Sequence, residues 1–388
     1  MRTSTAFLAA TLTTLVLLSF FPRSTAVAAD SLSNGFPCPS NAALTCVMQG
    51  LDGVRGLAFA PDGALYVAEA GHGGDGPCIS QSGVQVCYGP SGAISRLSAG
   101  VQQRVLEHLP SLAINDPSRP KAKGQAANGP TDIGFAVDDE EDGDVPGTWS
   151  TYITIGLQND PRLRDLLGAA GPSFARLLRV APDGTIGFVG DPGTYEIENN
   201  PDDGPIESNP FGLLVEPGRR LIADASANAL IRVVGNSHPH ISTVATFPSR
   251  PQGRPTDSVP TSVSAGPDHA YYVSELTGIP FATWNAAIYK VAPGKEPEVF
   301  LDGFRMITDF AFDADWNVYV LQYGTVPGTT FGQSGVLTRV AVDGTRTTVL
   351  SGLRTPTSVA VGPDGSVYVS NVGNPPSNGE VVRVAPPQ

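Results

Sequence analysis

The sequence predicts an all-β fold: a six-bladed β-propeller of four-stranded blades, its ring closed by an N-terminal strand that completes the last blade. Three observations carry that expectation. One phrase, an alternating apolar run, then Pro-Asp-Gly or a relative, then a second alternating run ending in Tyr-Val, recurs six times with variation. A second phrase, a small residue, apolar alternation and then Arg-Val or Lys-Val, follows each copy. The start of the chain also carries an outer-strand motif that its end lacks. Period-two alternation between Gly, Pro and Asp turns marks short half-buried strands. Four such antiparallel strands make one propeller blade.

The first phrase is clearest as Gly56-Leu-Ala-Phe-Ala-Pro-Asp-Gly-Ala-Leu-Tyr-Val67, and it returns at Ser262–Val273, Asp309–Val320 and Ser358–Val369. Weaker copies are Asp132–Phe135 with Thr151–Thr154, and Phe211–Val215 with Arg220–Ala223. The second phrase runs from Ala93-Ile94-Ser95-Arg96-Leu97 to Val381-Val382-Arg383-Val384, with a Val-rich run such as Arg346–Leu350 after it. In the last three units the repeated strand advances by 47 residues (Val263 to Phe310) and by 49 (Phe310 to Val359). Propeller blades repeat every ~40–50 residues. The last unit stops at Gln388, three strands in. Thr45-Cys-Val-Met-Gln-Gly-Leu51 matches Thr347-Thr-Val-Leu-Ser-Gly-Leu353, so residues 43–50 are expected to pair onto the last blade. A closed ring leaves no open sheet edge.

Residues 1–29 read as a secretory signal peptide: Arg2, an apolar stretch from Ala6 to Phe21, then Ala26-Val27-Ala28-Ala29. The apolar core is shorter than the ~20 residues of a spanning helix. The mature chain, 30–388, is then expected to be one secreted domain, monomeric and off the membrane. Lys and Arg number 24 against 37 Asp and Glu, a net charge of −13, which excludes nucleic acid as a partner because no phosphate-neutralising basic patch is present. With 44 Gly and 35 Pro the chain is rich in turns, yet 41% of it is hydrophobic, too apolar for disorder. Four cysteines in an oxidising compartment suggest disulfides; of three connectivities, Cys38–Cys46 and Cys78–Cys87 close small local loops. Zinc is the rival use, but no C-x-x-C spacing supports it.

Beyond the repeat, several segments resemble the ScyD/ScyE-type family, named for proteins associated with biosynthesis of the pigment scytonemin. They are Arg55–Gly71, Thr154–Leu157, Glu198-Asn-Asn-Pro-Asp-Asp-Gly204 with Ser208–Gly212, Asp224–Leu230, Ser274–Phe281 and Ser370–Gly373. The resemblance spans nearly the whole mature chain and implies an exported bacterial propeller. It implies no particular reaction. A wider likeness, at fold level, is to six-bladed calcium lactonases and to NHL-repeat binding propellers.

In a four-stranded meander the a–b and c–d turns share one face, and the b–c and d–a connections share the other. The a–b and c–d turns are tight here, as at Pro61-Asp62-Gly63. The long segments 71–91, 108–130, 157–173 and 192–208 fall on the other face, where binding is expected. Polar residues recur there: Glu69, Asp224, Glu275, Gln322 and Asn371 at the ends of strand b, and Asp132 and Asp309 at the starts of the innermost strand a, with Ser262 and Ser358 at the equivalent places. Glu69, His72, Asp132, Asp224, Glu275 and Asn371 are the candidate ligand-binding set. Glu69, Asp132, Glu275 and Asp309 are the candidate metal set, and calcium, which takes six to eight oxygens, is the ion they suit. The bland alternative is that these are strand-end caps. The set does not match the lactonases residue by residue. His72 is a candidate acid or base. The acidic run Asp138–Asp144 partly resembles a calcium loop but has Trp149 at the twelfth position, so a solvated acidic loop is the simpler account. No G-x-S-x-G, G-x-x-x-x-G-K or G-x-G-x-x-G motif occurs. Three functions remain: a binding protein for a small molecule or peptide at the long-loop face, a metal-assisted hydrolase, lactonase or lyase at the channel mouth, and an extracellular interaction scaffold.

Overall fold

The computed structural model describes residues 44–137, 148–252, 254–279, 281, 285–324 and 334–386. The expected signal peptide, Cys38 and the acidic run 138–144 lie outside these residues. The strands are β1 Leu44–Leu51, β2 Val54–Phe59, β3 Leu65–Glu69, β4 Cys78–Gln81, β5 Val84–Ser98, β6 Val101–Ile114, β7 Pro130–Val137, β8 Trp149–Ile155, β9 Arg176–Val180, β10 Ile186–Gly190, β11 Pro210–Glu216, β12 Arg219–Asp224, β13 Ala229–Val234 and β14 His240–Thr246. They continue as β15 Arg250–Gln252, β16 Arg254–Thr256, β17 Pro260–Ala265, β18 Tyr271–Glu275, β19 Ala286–Val291, β20 Glu298–Phe304, β21 Ile307–Phe312, β22 Val318–Gln322, β23 Gly335–Val340, β24 Arg346–Leu353, β25 Ser358–Val361, β26 Val367–Asn371 and β27 Gly379–Val384. One α-helix, α1 Pro192–Asn199, stands between β10 and β11.

The chain has a β-propeller repeat fold. Five sheets are simple antiparallel meanders, β7-β8-β9-β10, β11-β12-β13-β14, β17-β18-β19-β20, β21-β22-β23-β24, and β25-β26-β27 with β1 as the outer strand. A further sheet, β2-β3-β5-β6, carries β4 beside the extended end of β5. The first strands touch in succession, β2 to β7, β11, β17, β21 and β25, and β25 returns to β2.

The ends meet as the sequence motif predicts. β1 pairs antiparallel with β27, from Leu44 opposite Val384 to Leu51 opposite Gly379. The two matched outer strands end alike: Gly50 (φ 70°) and Gly352 (φ 75°) make a left-handed bulge that glycine alone adopts without strain. The bulge turns Leu51 and Leu353 into the core. Met48, Leu51 and Val381 then pack with Leu57, Leu65 and Val67 of the first sheet, an apolar seam between the last sheet and the first.

The long-loop face departs from the loops expected at 71–91 and 108–130. β5 and β6 run past the body of their sheet as a long hairpin, and β4 joins it with Cys78 directly opposite Cys87. Those two residues form a disulfide. Cys46 lies on β1, and its expected partner Cys38 is outside the described residues. The loops are laced to each other: Asn159 Nδ2 donates to the Ser80 carbonyl (2.9 Å) and Gln81 Nε2 to that of Gln158 (2.9 Å). No helix among the described residues is long and apolar enough to cross a membrane.

Candidate functional site

The first strands converge on a narrow neck. Its lining is Arg55, Thr131, Phe211, Thr261, Thr308 and Thr357, followed one residue later by Gly56, Asp132, Asp309 and Ser358, around a space of about 10 Å³, the room of one water. These residues tie several of the sheets to their neighbours. Thr131 Oγ1 donates to the Pro210 carbonyl (2.7 Å), Thr261 Oγ1 to that of Ile307 (2.9 Å), and Thr357 Oγ1 to that of Val54 (2.9 Å). Leu213 N–H donates to Asp132 Oδ2 (2.7 Å), Val359 N–H to Asp309 Oδ2 (2.8 Å), and Leu57 N–H to Ser358 Oγ (3.1 Å). The packing is tight enough to dictate sequence: a Cβ on Gly56 would lie 2.0 Å from Asp132 Oδ1.

Asp132 and Asp309 therefore share one neck, as the sequence expectation had them. Both are half-buried and face the channel. Burial pushes the Asp132 carboxyl well above the usual carboxylate range, and the nearby Asp309 charge pushes it further. Burial raises Asp309 too, opposed by donors on Ser262, Ser358, Val359 and Phe310. Both carboxyls are thus held above the usual carboxylate range, Asp132 by burial and by the neighbouring charge, Asp309 by burial against four donors. Arg55 closes the long-loop side. Its guanidinium donates to the carbonyls of Val54 (3.0 Å), Gly373 (2.6 Å) and Ala127 (2.9 Å), and burial draws its pKa down.

The remaining candidates point elsewhere, which separates the expected metal set. Glu69 is buried inside its own sheet and accepts from Arg104 Nη2 (2.6 Å), Ser95 Oγ (2.6 Å) and the Asp52 N–H (2.7 Å). Glu275 accepts from Ser258 Oγ (2.8 Å), the Ala287 N–H (3.0 Å) and Tyr289 OH (3.3 Å). Asp224 accepts from Ser208 Oγ (2.6 Å) and the Asn209 N–H (2.6 Å). Gln322 Oε1 accepts from the Arg305 N–H (3.0 Å), and Asn371 Oδ1 from the Arg354 N–H (2.8 Å). In four sheets the donor lies 17 residues before the acceptor, at the turn that enters strand a. These side chains are staples for that turn. Glu69 and Glu275 consequently do not join Asp132 and Asp309 around one point, and no group of three His, Cys, Asp or Glu suited to a metal ion occurs among the described residues. His72 is exposed on the long-loop face, its N–H donating to Ser91 Oγ (2.9 Å).

Beyond the neck the channel widens toward the tight-turn face. A cavity of about 1130 Å³ runs from Asp132, Asp309 and Ser358 to the turns at Pro61, Asp313–Trp316 and Pro363. Two positions on from Asp132 and its equivalents, on the same strand face, Ala58, Gly134, Ser264, Ala311 and Ala360 reach the lining, with Leu214 the one large residue of the set. At the rim stands Trp316, 45% exposed, with φ 64°. Two sister turns put Gly63 and Gly365 at this left-handed position, and a third puts His269 there (φ 61°). An aromatic side chain there is unfavourable for the backbone. It packs edge-on against Phe312 (5.7 Å), which meets Tyr272 (5.3 Å). Sequence reading missed Arg55 and Trp316, although a Trp where the repeat has Gly was a visible signal.

No family model and no curated relative matches the sequence. Among solved structures, the chain is similar to the PQQ-bound form of aldose sugar dehydrogenase from Streptomyces coelicolor: 13% identity over 89% of this chain and 99% of that one, TM-score 0.51. It is similar to a glucose dehydrogenase at 14% identity, over 89% and 99% of the two chains, TM-score 0.51. A third match is the catalytically inactive virginiamycin B lyase from Staphylococcus aureus, at 13% identity over 88% of each chain, TM-score 0.47. At these identities the likeness extends to the fold alone, so function is argued from the channel.

Proposed function

We propose that this chain is an exported six-bladed propeller of the ScyD/ScyE type, closed by β1, that binds a small molecule in the wide end of its channel. The observation that carries the reading is the cavity itself: a chamber of largely apolar residues with two carboxyls at its floor and one strained, exposed tryptophan at its rim. Apolar walls with a few converging polar groups are the usual make-up of a small-molecule site. An aromatic residue strained at a turn position that two sister turns fill with glycine supports a role outside stability. The floor, with two carboxyls facing one chamber, suits a ligand carrying hydroxyl or amine groups. An extended peptide would need an open groove, which the neck denies it.

The test is thermal unfolding of the mature protein against panels of neutral polyols and small amines, because a ligand bound only by the folded state must stabilise it. A hit should lose its shift in Trp316→Gly, while the unliganded protein keeps or raises its melting temperature, glycine being at ease in that turn. A shift that survives this variant would remove Trp316 from the site, and absence of any hit would leave the scaffold reading ahead. The enzyme reading rests on one observation, the raised Asp132 carboxyl, which could act as a general acid. Turnover of a bound compound that Asp132→Asn abolishes would favour it.

A further inference from the structure

The helix α1 lies away from the channel, on the long-loop face, and its last turn holds Glu196. The side chain is 1% exposed, yet neither carboxyl oxygen has a hydrogen-bond partner. The Glu207 N–H faces it but falls short of hydrogen-bond geometry. Asn200, at the C-terminal cap with φ 40°, also buries an unpartnered Oδ1 while its Nδ2 donates to the Gly204 carbonyl (3.0 Å). Asp202 and Asp224 add negative charge beside Glu196, and no Lys or Arg pairs with any of the three among the described residues. Asp224 is spent on its own donors. Asp202 accepts one bond at each oxygen, from Gly204 N–H (2.9 Å) and Asn228 Nδ2 (2.9 Å), which leaves lone pairs free.

Buried, unpaired oxygens are rare because each costs free energy, and an ion is one of the few things that explains them. Three unpaired oxygens at the negative end of a helix, with no donor, describe a receptor for a hard cation. We propose that a divalent hard cation, with calcium the best fit, binds at the C-terminal end of α1, held by both oxygens of Glu196 and by Asn200 Oδ1, with Asp202 as the second charge. No three acidic side chains close on one point here. The remaining positions fall to main-chain oxygens and water, as calcium sites allow. The ion would fasten α1 and the Asn-Asn-Pro-Asp-Asp-Gly loop to the turn at Asp224–Asn228.

The experiment uses the mature protein, stripped with EDTA and desalted, then titrated with CaCl2, with MgCl2 as the comparison ion. Melting temperature and bound metal by elemental analysis are the readouts. The expected result is one calcium per chain and a melting temperature that rises with calcium, both reduced at least tenfold in apparent affinity by Glu196→Gln. Asp309→Asn, at the channel neck, should leave them unchanged. A wild type that neither binds calcium nor shifts overturns the proposal. So does calcium binding that survives Glu196→Gln, since the ion would then sit elsewhere. A Glu196→Gln protein that is simply more stable in EDTA, with no calcium dependence in either chain, assigns the site to a proton instead. If Glu196→Gln does not fold, Asn200→Asp decides: an added ligand charge should tighten calcium binding at this site and do nothing for an ion bound elsewhere.

Discussion

Glu69 is a heavily engaged carboxylate, and its role is to hold three strands and a turn together. Glu69→Gln keeps the shape, loses the charge and leaves Arg104 with Asp52 as its only carboxylate partner. Arg104 is 34% exposed, so solvent softens the loss, and we expect about 2–3 kcal/mol by urea unfolding. Asp132 behaves oppositely. Its folded carboxyl titrates above the unfolded value of 3.8, so the stability it contributes is complete below that value and is withdrawn as pH rises through the folded one. Asp132→Asn keeps one acceptor oxygen and carries no charge. Its stability relative to wild type should therefore climb as pH rises from about 4 toward neutrality. Melting curves of both proteins at several pH values check this, and a difference that stays flat would reject it.

At the scale of elements, the Cys78–Cys87 bridge closes the tip of the β4–β5 hairpin with nine residues of separation. Chain-entropy arguments give a loop of that size about 2.5–3 kcal/mol. Because the hairpin stands out from its sheet, the loss in Cys78→Ser with Cys87→Ser should appear first as protease cleavage near residues 80–85, ahead of global unfolding. The contact between β2 and β7 is a second element-level device. Gly56→Ala puts a methyl where Asp132 Oδ1 sits. The strands must part or the carboxyl must move, at a cost of about 2–3 kcal/mol, to be read from chemical denaturation.

For the whole molecule, the decisive contact joins its two ends. β1 supplies the outer strand of the last sheet and the seam of Met48 and Leu51 against the first. A chain begun at Val54 would expose the β27 edge and that seam together. We expect it to lose cooperative unfolding and to associate on gel filtration, whereas Met48→Ala, which empties a buried site, should cost about 2–4 kcal/mol and remain monodisperse.

The sequence alone marked out the repeat, the four-stranded unit, an outer strand near residues 43–50 and, among three connectivities, the Cys78–Cys87 pair. Those features are local in sequence or written twice, and periodicity with turn chemistry reads both. It also brought Asp132 and Asp309 forward correctly as inner-strand residues. It could not separate them from Glu69 and Glu275, which look alike in a strand-end alignment. The difference lies in partners at long separation: Glu69 turns toward Ser95 and Arg104, 26 and 35 residues on, while Asp132 reaches the next sheet at Leu213, 81 residues on. The α1 helix was announced by Asp191 at its N-cap and Pro192 after it, signals drowned by the strand pattern. Only the tertiary structure decided that a chamber opens at the tight turns. The width of a channel depends on which inner-strand residues meet around the axis, and Arg55 closes one end of this one through carbonyls of segments 72 and 318 residues away.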